Sequence, residues 1–184
     1  MIEPRLATLR FLLIGVIMTV VIEALAGDLT LTSIDMGEQI KLAQVFDRYG
    51  CHGRNLSPQL AWHGEPKNTK SFAITMYDPD APTDHGWWHW IAVNIPADVH
   101  RIPTGASPGT MPEGTTEIVN DYGIAAYGGP CPPKGDKPHR YVLTLYALDT
   151  PHLPLKGNTP IPVAIRFIRA HTIAKMSLKA YYGR

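Results

Sequence analysis

Between Ala26 and Pro160 the chain almost never keeps apolar residues at helical spacing for three turns, and 17 prolines and 16 glycines punctuate its 184 residues. Proline removes a backbone donor and glycine costs backbone entropy inside a helix, so this middle stretch favours short strands joined by ordered loops. Leu29–Ile34 and Ser71–Tyr77 alternate apolar and polar residues, Trp90–Ile95 is mostly apolar, and Arg140–Leu148 is rich in β-formers on both faces. The last two read as central strands. Shorter strands are expected near Ile40–Phe46 and Gln59–Trp62. After Pro160 and Pro162, the residues Val163, Phe167, Ala170 and Ala174 recur at spacings of four, three and four, which predicts an amphipathic helix led by prolines. Met176–Tyr182 alternates again and predicts a closing strand. The class is mainly β, with one late helix.

The first residues carry Arg5 and Arg10, run uncharged from Phe11 to Ile22, and reach Ala24-Leu25-Ala26 before Gly27. This is the layout of a secretory signal peptide; the apolar run is shorter than the roughly 20 residues a spanning helix needs. The expected organisation is therefore a signal peptide over residues 1–26 and one domain over 27–184, with a periplasmic or secreted mature chain. A retained anchor is the alternative, and no later segment reads as a membrane span. Cleavage removes two of 17 basic residues (Arg5, Arg10) and two of 16 acidic ones (Glu3, Glu23), leaving 15 against 14. Such a balance, without basic clusters, argues against general nucleic-acid binding. Cys51 and Cys131 both lie in the exported part, where an even count reads as a disulfide, with two free thiols as the alternative.

The segment from Tyr77 to Trp90 packs Asp78, Asp80, Asp84, His85 and His89 among prolines and tryptophans. These residue types serve general bases and metal ligands alike. Their spacing matches no strong metal motif, however, and no serine or cysteine sits in a nucleophile-elbow context. The expectation is a protein that is not an enzyme, with no metal and no cofactor. Asp84 and His85 read as an exposed loop tip. Farther on, His139 and Tyr141 are two apart in a strand and share a face, while Arg140 points the other way. If that strand lies beside Trp90–Ile95, then Asp78, His89, His139 and Tyr141 converge into a small pocket for a polar or anionic head group. The turn required of the loop makes Ala81–Pro82 a candidate cis bond.

The run Asp78-Pro79-Asp80-Ala81-Pro82, then Trp87-Trp88-His89-Trp90, Pro132-Pro133-Lys134-Gly135 and His139-Arg140-Tyr141, with Asn55-Leu56-Ser57-Pro58 upstream, resembles the phosphatidylethanolamine-binding protein family, also called Raf kinase inhibitor-like proteins. The likeness is greatest to the bacterial exported branch. It implies a large central antiparallel sheet packed on a smaller sheet, with an anion-accepting cavity at one end. By motif, Asp78, His89, His139 and Tyr141 become ligand-binding residues, with Trp87 a wall and Pro133 the rim. Three residues separate Gly135 from His139, a longer course than the family motif. The chain ends at Arg184, so the tail that closes the pocket in some animal members is expected to be absent. The functional expectation is a non-enzymatic extracytoplasmic protein that binds phosphate or a phosphorylated head group. The alternative is an inhibitor of a protease- or kinase-type protein partner acting through its pocket-rim loops. A carboxylate helps an anion site only by orienting or charging an imidazole, so Asp78 is expected to accept a hydrogen bond from His89 or His139, and Tyr141 to donate to the ligand.

Overall fold

Ser71–Asp78, the alternating run upstream of the aspartate-rich loop, becomes β3, the middle strand of the larger sheet. The computed structural model describes residues 28–184; the expected signal peptide lies outside them. In chain order the elements are β1 (Thr30–Thr32), β2 (Leu60–His63), β3, β4 (Trp87–Pro96), β5 (Arg101–Ile102), β6 (Thr116–Glu117), β7 (His139–Leu148), α1 (Ile161–His171) and β8 (Thr172–Tyr182). A three-stranded sheet runs β1-β2-β5 and a five-stranded sheet runs β6-β4-β3-β7-β8, with every strand pair antiparallel. Among the described residues no helix is long and apolar enough to cross a membrane.

Side-chain alternation divides the core in two. Phe72, Ile74 and Met76 of β3 join Leu143 and Leu145 of β7 and the small sheet's Leu60 and Trp62. Ala73 points the other way and meets Ile91, Val93, Ile165 and Ile168, so α1 covers the opposite face. β8 forms one edge and β6 the other; the exposed Lys175 and Lys179 of β8 discourage pairing with another chain.

Three expectations need correction. β7 does not lie beside β4, because β3 separates them, although both are interior strands as expected. Ile40–Phe46 is not a strand: Gln44 and Val45 donate back to the carbonyls of Lys41 and Leu42, making a turn that buries Val45 and Phe46 and leaves Leu42 in solvent. The helix buries Ala164, Ile165 and Ile168, while Ala170 is exposed and Ala174 already belongs to β8. The prolines do start it, with Pro160 at the N-cap.

The loops over one end of the large sheet are held at backbone contact. A Cβ on Gly129 would lie 2.0 Å from the carbonyl oxygen of Gln44, so only glycine fits where the two loops cross. Asn55 clamps the same crossing: its Oδ1 accepts from the Gly129 N–H at 2.8 Å and its Nδ2 donates to the Tyr127 carbonyl at 3.3 Å. Cys51 and Cys131 form the expected disulfide beside it. Arg184 bridges the same loops, donating to the carbonyls of Pro132 (2.7 Å) and Gly50 (2.8 Å). The disulfide closes a loop spanning 80 positions, worth at most about 4.5 kcal/mol of unfolded-state entropy. The Cys51→Ser, Cys131→Ser double variant should lose about 2–4 kcal/mol in denaturant titration and melt at least about 5 °C lower; a melting point within a degree of wild type would refute this role.

Candidate functional site

Three adjacent strands end at the same edge of the sheet, and each delivers polar side chains there. β3 ends at Asp78, whose Oδ1 accepts from the Asp80 N–H at 2.8 Å and so turns the chain out of the sheet. The loop closes at Gly86, with φ +68°, where a Cβ would come within 2.3 Å of the Tyr77 hydroxyl. These two turns reverse the chain with Ala81–Pro82 in trans, contrary to the expected cis bond; among the described residues the cis bond is Ser107–Pro108. Arg140 points outward from β7 and holds Asp80 through Nε (2.8 Å) and Nη2 (2.6 Å), drawing that carboxyl down to about 2. Asp84 and His85 stand exposed at the loop tip.

β4 carries the next group. Met76 pairs with Trp90 and Tyr77 with Trp88, so His89 is the extra residue of a β-bulge. The bulge sets His89 and Trp90 on the same side of the sheet, although they are consecutive. Trp90 enters the core and His89 faces the sheet end. β7 contributes His139 and Tyr141 on the inner face, both buried, as their spacing predicts.

These side chains line a cavity of about 310 Å³. Asp78, Trp87, His89, Pro133, His139 and Tyr141 all border it, so the structure brings together every residue expected at the site. The hydrogen bonds discriminate between them. His139 Nδ1 donates to Asp78 Oδ2 at 2.8 Å, and its Nε2 lies 3.4 Å from Asp136 Oδ2. His89 is not the partner of Asp78: its Nδ1 is 2.7 Å from the Gly128 carbonyl oxygen, which only accepts, so Nδ1 carries the proton. Of the two partners expected for Asp78, the structure gives His139 and not His89. Burial pushes His89 below the usual histidine range, outweighing the smaller upward pulls of Gly128, Asp78 and Asp121. Burial, reinforced by Asp78, pushes the Tyr141 hydroxyl up, so it stays protonated.

Three buried polar atoms on the cavity wall have no hydrogen-bond partner among the described residues: Trp87 Nε1, His89 Nε2 and Tyr141 Oη. The first two have fixed roles, a donor and a lone pair, and the third can serve as either.

Sequence reasoning missed the segment from Asn120 to Tyr122. Tyr122 stacks on Phe46 (centroids 4.1 Å) and meets His89 and Trp87 edge-on at 5.5 and 5.3 Å, forming a cavity wall. Asp121 Oδ2 accepts from the Trp88 N–H at 2.7 Å. Buried Asn120 donates to the carbonyls of His89 (2.8 Å) and Ala126 (3.0 Å) and accepts from the N–H groups of Tyr122 (2.9 Å) and Ile124 (3.3 Å). The signal available was Asn120-Asp-Tyr-Gly123, a turn-forming run. Asn120→Asp would place a carboxylate oxygen against two carbonyls. It should cost about 3 kcal/mol at neutral pH and less under mild acid, where the carboxyl can donate again; a pH-independent loss below about 1 kcal/mol in urea titrations would show that Asn120 is not the hub.

The family model described as phosphatidylethanolamine-binding protein matches residues 30–183. YbcL of Escherichia coli K12 is 45% identical over 163 residues, 87% of this chain and 89% of its own length. YbhB of the same organism is 40% identical over 149 residues, 80% of this chain and 94% of its own. The crystal structure of YbcL, described as a new member of the mammalian family, superposes with a TM-score of 0.84 at 43% identity, covering 86% of this chain and 99% of that one. The homologue CT736 from Chlamydia trachomatis gives a TM-score of 0.73 at 27% identity, with coverage of 86% and 99%. On sequence and fold together, the chain belongs to the phosphatidylethanolamine-binding protein family.

Proposed function

We propose that the protein is a non-enzymatic, extracytoplasmic binding protein whose cavity takes a small oxyanion, either phosphate or a phosphorylated head group. The observation that carries this reading is that three residues lining one cavity each hold a buried polar atom, Trp87 Nε1, His89 Nε2 and Tyr141 Oη, without a partner among the described residues. Each such atom costs about 1–3 kcal/mol when left unpaired. Ligand oxygens accepting from Trp87 and Tyr141 would relieve part of that cost, a common arrangement where a fold trades stability for a site.

The same wall supports binding rather than turnover. Asp78 and His139 are committed to each other, Cys131 is tied in the disulfide, and Thr83 Oγ1 donates to the Gly86 carbonyl at 2.5 Å. None of these groups is poised as a nucleophile. Export rests on the leader-like residues 1–26 and agrees with the disulfide. A second reading, a protein partner gripped by the rim loops, draws on Tyr49 and Leu42, which are 69% and 64% exposed beside the cavity mouth and along its loop.

Calorimetric titration with phosphate should show saturable binding at one site. Tyr141→Phe removes an unpaired hydroxyl, so phosphate affinity should fall about tenfold while the ligand-free protein keeps or slightly gains stability. If Tyr141→Phe loses more than about 1 kcal/mol without ligand, the hydroxyl has a structural partner and the reading of the cavity weakens. If phosphate fails to bind and fails to displace a protein partner, the rim-loop reading takes precedence.

A further inference from the structure

Resting on the reading of the cavity as an oxyanion site, we propose that the head group it selects must itself carry a proton. The ligand is a singly ionised phosphate monoester or dihydrogen phosphate, whose P–OH donates to His89 Nε2 while its other oxygens accept from Tyr141 and Trp87.

The polarity of His89 carries this. Its Nδ1 faces a backbone carbonyl at 2.7 Å and holds the ring proton, which leaves a lone pair on Nε2. That nitrogen is buried on the cavity wall, in a residue only 2% exposed, and no group among the described residues donates to it. A ligand without a donor would set an oxygen lone pair against a buried nitrogen lone pair. A P–OH would complete the set.

The charges around the ring point the same way. No lysine or arginine lines the cavity among the described residues, whereas the carboxylates of Asp78 and Asp121 do. The groups facing His89 are Asp78 from β3, His139 and Tyr141 from β7, and Asp121 and Tyr122 from the loop after β6. Arg184 gives its guanidinium to the rim carbonyls of Pro132 and Gly50. A dianion therefore enters a site with two carboxylates nearby, a lone pair on its wall and no fixed cation at its surface. A monoanion bearing a proton meets less repulsion and gains one more hydrogen bond. Burial supports the neutral ring by opposing its protonation.

A pH profile alone cannot locate the proton, because a protonated ligand on neutral His89 and a dianion on charged His89 give the same slope. Isosteres can. Methyl phosphate is largely a monoanion with one P–OH at about pH 5.5, given a second ionisation near pH 6; methyl sulfate has the same charge and similar shape but no O–H. Titrated against the full-length protein, methyl phosphate should bind at least about tenfold tighter than methyl sulfate, since the donor is lost to a buried acceptor. Its affinity should also fall about tenfold per pH unit above about pH 7. Inorganic phosphate in parallel separates two sources of the same chemistry: a tighter methyl ester assigns the site to an esterified head group, and a tighter inorganic ion assigns it to free phosphate. Equal binding of methyl sulfate and methyl phosphate would overturn the inference while leaving the oxyanion reading intact. Binding of none of the three would overturn both.

Discussion

The hydrogen bond from His89 Nδ1 to the Gly128 carbonyl is the contact on which the site depends. It couples the large sheet to the loop that walls the cavity, and it fixes which ring nitrogen is left without a partner. Gly128 is held there by several independent contacts. Its own N–H donates to the His89 carbonyl at 2.9 Å, so the two residues exchange hydrogen bonds. Asn120 binds the carbonyls of His89 and Ala126, and Asn55 holds Tyr127 and Gly129 on either side. The disulfide and Arg184 secure the next turn of the same loop. Such redundancy is what keeps a buried imidazole in one tautomer, because its orientation follows from backbone positions rather than from a single mobile side chain.

The sheet supplies the rest of the arrangement. β3, β4 and β7 are neighbours, so the Asp78–His139 pair spans adjacent strands and positions an imidazole on the cavity wall. The bulge at His89 brings the second imidazole to the same side. Apolar packing on both faces of β3 anchors these strands, with Phe72, Ile74 and Met76 on one side and Ala73 on the other. A rigid scaffold of this kind can hold unpaired polar atoms at its end, since the core offsets their cost.

Much of this was legible in the residues. The alternation of Ser71–Tyr77 gave β3, the two-residue spacing of His139 and Tyr141 gave their common face, and Pro160 marked the start of α1. Asp78, Trp87, His89, Pro133, His139 and Tyr141 were all identified through motifs and all border one cavity. What escaped depends on contacts distant in sequence. Strand order is set by pairing across the chain, so β3 between β4 and β7 was not visible locally. The bulge was hinted at only by Trp87-Trp88-His89-Trp90, which lacks alternation. The face of α1 was found only in part: Phe167 does pack against the core, but Ile165 and Ile168, on a second helical spacing, are the residues buried against Ala73 and Ile91. Asn120 was overlooked because its four hydrogen bonds serve backbone groups.

The tautomer of His89 is the most direct test. Nitrogen NMR of histidine-labelled, ligand-free protein, followed down from about pH 8 through about pH 6.5, where an ordinary histidine is half protonated, distinguishes the states of each ring nitrogen. The hydrogen bond to Gly128 and the burial of the ring predict that His89 keeps a proton on Nδ1 and a bare lone pair on Nε2 across that range. A His89 ring protonated on both nitrogens at neutral pH, or carrying its proton on Nε2, would contradict the account.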